Sequence, residues 1–176
     1  IDIKKRIPIA AGLAGGSTNA AAVLIGLNAL WNLGLSDEKL SELGLELGAD
    51  VPFCIYGGTA EARGIGEILT HLEPIEGIWL VLVKPSFGVS TAWAYRELKL
   101  DKVTSRPDIK AAYSTLKNGE WEGMGRYMAN VLEDVVEGSY PEVREIKNAL
   151  LREGAAFSMM TGSGPTVYGV FKYKAD

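Results

Sequence analysis

The chain has one cysteine, Cys54, and one histidine, His71, in 176 residues. A lone cysteine cannot close an internal disulfide, so a reducing, cytoplasmic setting is expected. No second cysteine or histidine stands at zinc-ligand spacing, which excludes a zinc cluster and a histidine-based triad. Positive charge is also scarce. Lys and Arg number 18 against 22 Asp and Glu, for a net charge of -4. No basic block interrupts that balance, which argues against nucleic-acid binding. No apolar run approaches the roughly 18 or more residues of a membrane span, and no signal peptide is visible. The remainder, 47% hydrophobic and 23% charged, is ordinary for a soluble protein of one domain or two small ones. Ile1 is not a start methionine and both ends fall in strand-like runs, so the chain is expected to be a segment of a longer protein.

What the chain does have is a glycine-rich stretch, Pro8 to Ala22, reading PIAAGLAGGSTNAAA. Gly12, Gly15 and Gly16 are expected to form a turn ahead of Ser17, Thr18 and Asn19, with an amphipathic helix following. Glycines let backbone approach a ligand closely, and a helix start offers unpaired N–H groups and the positive end of the helix dipole. Together these make a phosphate socket. The same glycines could serve only a tight strand-to-helix turn. The stretch is not a Walker A loop, because no Gly-Lys-Ser/Thr follows, and it is not a dinucleotide fingerprint.

In chain order, the alternation over Ile1 to Ile9 predicts a strand feeding the glycine turn. Val23, Leu24, Leu27, Leu30 and Trp31 predict the buried side of the first helix, ended by Gly34. Ser36 reads as the N-cap of a second helix, with Asp37 and Glu38 in its first turn and Leu40, Leu43 and Leu47 as its stripe. Pro52 suits the first turn of a third helix. TAEAR, between Gly57-Gly58 and Gly64-Ile65-Gly66, pairs with EILTHL as a hairpin. A domain boundary is expected near Gly77. Ile78 to Lys84 is a continuous apolar run, the mark of a buried strand. Ser90 or Thr91 caps a helix to about Leu98, and further helices are predicted over Ile109–Lys117, Trp121–Val136 and Pro141–Arg152. Strands over Ala156–Met160 and Thr166–Tyr173 flank Thr161-Gly162-Ser163-Gly164-Pro165.

Asp50 is the best-placed carboxylate. It is either an N-cap or a general base near the phosphate socket, a role that contributes roughly 10²–10⁴-fold to a rate. Trp93, Tyr95, Trp121 and Tyr127 are core aromatics by default, though Tyr95 could present its ring to a planar base. Cys54 reads as core and His71 as a strand-end residue. The loop over residues 161–165 is either a plain hairpin turn or a second backbone surface facing a ligand.

The wording GLAGGSTNAA, then GADVPF with YGGTAEARGIGE, then KPSFGVSTAWAY, NVLED and MTGSGPTVYG, resembles the GHMP kinase superfamily of small-molecule ATP-dependent kinases over nearly the whole chain. The resemblance implies a two-lobe α+β fold. Residues 1–77 would be the remainder of an ATP-binding lobe like ribosomal protein S5 domain 2, and residues 78–176 a ferredoxin-like lobe. It implies ATP and Mg²⁺ as cofactors. Pro8 and Gly12, Leu13, Ala14, Gly15, Gly16, Ser17, Thr18 and Asn19 would hold the ATP phosphates, with Ser17 near Mg²⁺. Asp50 would take the proton of the attacking hydroxyl, Gly162, Ser163 and Gly164 would form a third motif, and Thr91 and Tyr95 would bind substrate. The branch whose wording it resembles implies a cytidine diphosphate-linked methylerythritol as that small-molecule substrate, phosphorylated on the 2-hydroxyl in non-mevalonate isoprenoid synthesis. Homoserine- or mevalonate-type kinases, and a non-catalytic nucleotide sensor, are the alternatives. The family's N-terminal part with its catalytic lysine, and the last helix and strand of its C-terminal lobe, are not in the sequence. The segment alone is therefore expected to show little or no activity.

Overall fold

A computed structural model describes residues 2–121 and 123–173. The chain divides into two compact units, Ile1–Ile7 with Ala14–Pro74, and Pro8–Leu13 with Ile75–Asp176. Among the described residues, no helix is long and apolar enough to cross a membrane.

The first unit is built on α1 (Gly15–Leu30), α2 (Asp37–Leu45), α3 (Val51–Tyr56) and a hairpin of β1 (Thr59–Arg63) and β2 (Ile68–Leu72). The strand predicted over Ile1 to Ile9 does not form. Residues 2–9 have no regular structure, and Ile1 lies outside the described residues. A strand needs a ladder partner, and none of the described strands pairs with this segment. Pro8 lacks a donor, and Ala10 already turns at φ 51°. The helix α1 begins earlier than expected, so Gly15 and Gly16 belong to its first turn. Its predicted buried side is largely open. Leu30 and Trp31 are exposed, and Ala21 is its one buried residue among those described. Ser36 caps α2 as expected, its hydroxyl accepting from Lys39 N at 3.3 Å. Leu40 is buried, Leu43 half-buried and Leu47 exposed beyond the helix end. The hairpin forms in the predicted place, pairing Thr59 with Leu72 and Arg63 with Ile68.

The second unit holds an antiparallel sheet of order β3-β5-β4, from β3 (Trp79–Val83), β4 (Phe157–Met160) and β5 (Val167–Phe171). Around it lie α4 (Thr91–Glu97), α5 (Ile109–Asn118), α6 (Glu133–Ser139) and α7 (Glu142–Arg152). Helix α7 packs on β4 and β5, and Gly169 makes the close approach possible. A Cβ there would lie 3.3 Å from both Leu150 Cβ and Ala155 Cβ. Val136, Val143, Met160 and Val167 are fully buried at this interface, each worth about 1.5–3 kcal/mol of apolar burial. On the other side Met124, Phe157 and Val170 form a second cluster.

Two expectations fail here. The run Ile78–Lys84 does contain a strand, but Trp79, Leu80, Val81 and Leu82 are 41–54% exposed. Its place at the edge of the described sheet is the reason, and a hydrophobic run cannot distinguish edge from centre. The single helix predicted over Trp121–Val136 is instead a 3₁₀ turn at Met124–Arg126, an irregular stretch, and α6. Gly123 at φ 78° blocks helix propagation ahead of the turn. Asn130 then turns its side chain to the backbone of Leu132 rather than continuing the helix.

Candidate functional site

In the first unit, α1 opens on Gly15 with Ala14 as its N-cap at φ 47°. Alanine has no side chain to cap the helix, and no acid sits in the first turn. The first amide to find a backbone acceptor is that of Thr18, bonded to Ala14 O at 2.9 Å. Nothing lies within 4 Å of where a Gly16 Cβ would stand. The amides at the start of a 16-residue helix are thus left to outside acceptors, and a side chain at Gly16 would meet open space. Ser17 is half-buried in this turn and Asn19 follows it. Thr18 is exposed, its hydroxyl donating back to Ala14 O at 3.0 Å and lying 3.7 Å from Cys54 Sγ. Lys5, which the sequence suggested only as a polar strand residue, donates from Nζ to Gly15 O at 3.1 Å. A lysine shortly before a glycine-rich helix start was the signal available.

Asp50 stands at the N-cap position of α3 but makes no side-chain capping bond. Its carboxylate is exposed and has no ion pair or hydrogen bond among the described residues. Helix α3 packs against α1 within the same unit, joined by the Thr18–Cys54 contact. The hairpin turn also approaches Asp50, since a Cβ on Gly66 would lie 3.8 Å from its Oδ1. Cys54 is half-buried rather than core, and His71 lies in β2 edge-on to Tyr56 with ring centroids 5.0 Å apart.

In the second unit, Gly12 packs backbone to backbone against the loop between β4 and β5. Thr161 Oγ1 donates to Gly12 O at 3.0 Å, and Thr166 N reaches Ala11 O at 3.3 Å. Within the loop, Thr161 N donates to Thr166 O and Gly164 N to Thr161 O, both at 2.9 Å. The third-motif residues Gly162, Ser163 and Gly164 are therefore brought beside Gly12. Ser163 Oγ lies 2.7 Å from Thr91 Oγ1, so Thr91 joins this cluster. Ser90, not Thr91, caps α4, accepting from Trp93 N at 3.4 Å. Tyr95 follows Thr91 by one turn and is 62% exposed, not core. Tyr127 is exposed as well, whereas Trp93 is half-buried edge-on to Tyr140 and Trp121 half-buried beside Met124.

Behind this loop lies a charged network that sequence reading missed. Lys147 bonds both Glu133 and Glu137, and Arg144 Nε donates to Glu137 at 2.7 Å. Burial pushes the Glu137 carboxyl up, but the hydrogen bonds from Lys147 and Arg144 outweigh it and hold the group below its ordinary value. Glu133 also accepts from Met160 N at 2.6 Å, and Asn130 Nδ2 donates to Met160 O and Gly162 O at 2.9 and 2.8 Å. NVLED could have flagged Asn130 and Glu133, but their partners lie about thirty residues away.

The residues present suit a phosphate group: bare amides, an unobstructed Gly16, and a nearby lysine, while the side-chain position of Gly15 is taken by Ile7, 2.7 Å from where a Cβ would stand. They suit a metal ion only in part. No group of three or more His, Cys, Asp or Glu that could hold one occurs among the described residues. A Mg²⁺ here would draw most of its ligands from phosphate oxygens and water.

Comparison with known proteins matches residues 1–58 to the GHMP kinases N terminal domain and residues 112–176 to the GHMP kinases C terminal domain. A 4-diphosphocytidyl-2-C-methyl-D-erythritol kinase from Alkaliphilus metalliredigens is 53% identical over 98% of the chain and 59% of its own length. One of the same name from Bacillus cereus is 51% identical over 97% of the chain and 58% of its own. A crystal structure of 4-(cytidine 5'-diphospho)-2C-methyl-D-erythritol kinase superposes with TM-score 0.79 at 35% identity, covering 95% of this chain and 59% of that one. Homoserine kinase from Cytophaga hutchinsonii, at 21% identity and TM-score 0.79 over 96% of this chain and 58% of its own, shares the fold. The chain thus spans about 59% of the length of the relatives it matches.

Proposed function

The chain belongs to the GHMP kinase family, and on that premise we propose that it is part of an ATP-dependent kinase acting on the 2-hydroxyl of 4-diphosphocytidyl-2-C-methyl-D-erythritol. The observation that carries the kinase reading is the uncapped start of α1, whose unit also holds the unpartnered Asp50 carboxylate on the helix packed beside it. The substrate rests on the shared name of relatives 51–53% identical. We assign residues 1–77 to the remainder of the ATP-binding lobe and 78–176 to the ferredoxin-like lobe, in a cytoplasmic enzyme.

In this reading the amides of Gly15, Gly16 and Ser17 receive the ATP phosphates, and Ser17 would help to hold a Mg²⁺, which would supply neutralisation of charge on the transferring phosphoryl group. Asp50 accepts the proton of the 2-hydroxyl as that oxygen bonds to the γ-phosphorus and the bridging bond to ADP breaks. Thr91 and Tyr95 bind the cytidine end, with the exposed Tyr95 ring as a stacking surface. Phosphoryl transfer suits such a site because it asks for positioning and charge stabilisation rather than covalent chemistry.

The test is phosphorylation of 4-diphosphocytidyl-2-C-methyl-D-erythritol by the full-length protein beside Asp50→Asn. Turnover falling by about 10²–10⁴-fold in the variant, with ATP binding kept, supports the reading. Unchanged turnover removes Asp50 from its role. A parent that phosphorylates homoserine instead places the chain in another branch of the family.

A further inference from the structure

A cavity of about 470 Å³ lies along β4, wholly within the second unit. Its wall runs from the end of α4 and the segment 99–105, through the loop 128–131, to α6, Lys147 of α7 and β4 itself. That volume falls in the range of roughly 300–1,000 Å³ found for sites that bury a small ligand. β4 is an outer strand of the described sheet, so one row of its backbone groups faces away from β5.

Alternate residues of an antiparallel strand send their N–H and C=O to the same side. Met160 faces away from β5, its N–H going to Glu133 and its C=O accepting from Asn130. Thr161, the next residue, turns its N–H back to Thr166 O across the pair. Ser158 stands two residues before Met160 and shares its orientation, so its N–H and C=O point into the cavity. Nothing among the described residues takes them up. Ser158 is only 7% exposed, and its hydroxyl is already donated to Tyr168 O at 3.1 Å. A buried backbone donor and acceptor without partners are rare in native proteins, because each forfeits its bond to water. With Met160 sealed by Glu133 and Asn130, the open part of the edge is centred on Ser158.

The charges on the cavity wall do not cancel. Its carboxylates are each matched: Glu133 bonds Lys147, Glu97 pairs with Arg96 at 3.3 Å, and Asp134 is attracted to Arg144. Lys99 and Lys102, on the wall segment after α4, make no ion pair among the described residues. Val103, Phe157 and Met159 add apolar surface. We propose that this cavity docks a short extended acidic segment of a partner protein: one of its residues exchanges both backbone hydrogen bonds with Ser158, and an acidic side chain beside that residue meets Lys99 and Lys102. Adding a strand to an open edge supplies main-chain affinity, and the two lysines set the sign of charge accepted. The proposal concerns one surface of the second unit and stands independently of the kinase reading.

The experiment offers the full-length protein a pool of acetylated pentapeptide amides, each with one aspartate among apolar residues, and reads binding by fluorescence anisotropy. Two further pools carry lysine in place of aspartate, or the aspartate peptides with every backbone amide N-methylated. The aspartate pool is expected to bind and to slow hydrogen exchange of the Ser158 amide. The lysine and N-methylated pools bind at least about tenfold more weakly, and so does the aspartate pool with a Lys99→Ala/Lys102→Ala protein. Both lysines are exposed, so the unfolding midpoint of that variant stays at the parent's value. Binding that survives N-methylation, ignores the sign of the charge, or persists in the double variant overturns the proposal. Absence of binding at about 1 mM aspartate peptide overturns it as well.

Discussion

The carbonyl oxygen of Thr161 occupies the place where a side chain on Gly12 would begin. A Cβ built there overlaps that oxygen and lies 2.9 Å from Gly164 N and 3.0 Å from Gly164 O, all backbone atoms with no flexible end to move. Gly12→Ala combines this overlap with a φ of 70° that alanine tolerates poorly. The expected loss is about 3 kcal/mol of stability, within the range for strain at a special backbone position. It would be read as a lower denaturant midpoint. An alanine form with the parent's midpoint would mean that the two loops part more easily than their hydrogen bonds suggest.

Gly16 makes the opposite case from the same motif. It has ordinary helical geometry, and a Cβ there meets nothing within 4 Å. Alanine favours helix over glycine by up to about 1 kcal/mol. Gly16→Ala is therefore expected to hold or raise the unfolding midpoint while weakening ATP binding, because the new methyl enters the space assigned to phosphate. Thermal unfolding and calorimetry on one sample check both halves. Unimpaired binding would move the phosphate away from Gly16.

Local features were readable in the sequence, and long-range ones were not. Ser36 and its cap, the β1–β2 hairpin and the apolar β4 and β5 depend on neighbours a few residues apart, so spacing and turn residues suffice. Gly12 was legible as a glycine needed for a turn, but its partner Thr161 lies 149 positions away and carries no pattern of its own. The irregular stretch before α6 was unreadable for a similar reason, since Asn130 is committed to carbonyls of β4 and its loop. The exposure of β3 depends on the sheet's order, which no run of hydrophobic residues encodes.

The Glu137–Lys147 pair makes stability depend on pH at both extremes. The Glu137 carboxyl is lowered from 4.5, because hydrogen bonds from Lys147 and Arg144 overcome the upward push of burial. A depressed acid contributes stability that is whole above its unfolded value and disappears as pH falls through the lower folded one. For Lys147, burial pulls downward, yet the bonds it donates to Glu133 and Glu137 raise it above 10.5. Its share is whole below 10.5 and is lost as pH rises through the raised value. Glu137→Gln is expected to flatten the fall in unfolding midpoint below pH 4.5. Lys147→Met leaves two carboxylates short of a partner and should cost about 3 kcal/mol at neutral pH. A midpoint profile with the parent's acid slope in Glu137→Gln would show that other carboxylates control acid unfolding.

The edge strand β3 bears on how the 176-residue chain behaves alone. Leu80 and Leu82 are 53% and 54% exposed on one face of the sheet, with Val81 41% exposed on the other. An apolar edge open on both faces invites pairing with another copy, and a charged residue on such a strand suppresses it. Leu82→Lys is expected to shift the chain toward monomer in sedimentation velocity and to slow its aggregation on warming. The unfolding midpoint should change little, because a half-exposed edge leucine contributes only part of the roughly 1.5–3 kcal/mol of full burial. Leu45→Lys, at a 38% exposed leucine of α2 in the other unit, serves as the control. Equal association in both variants would assign self-association to a different surface, whereas loss of association in Leu82→Lys alone would locate it on β3.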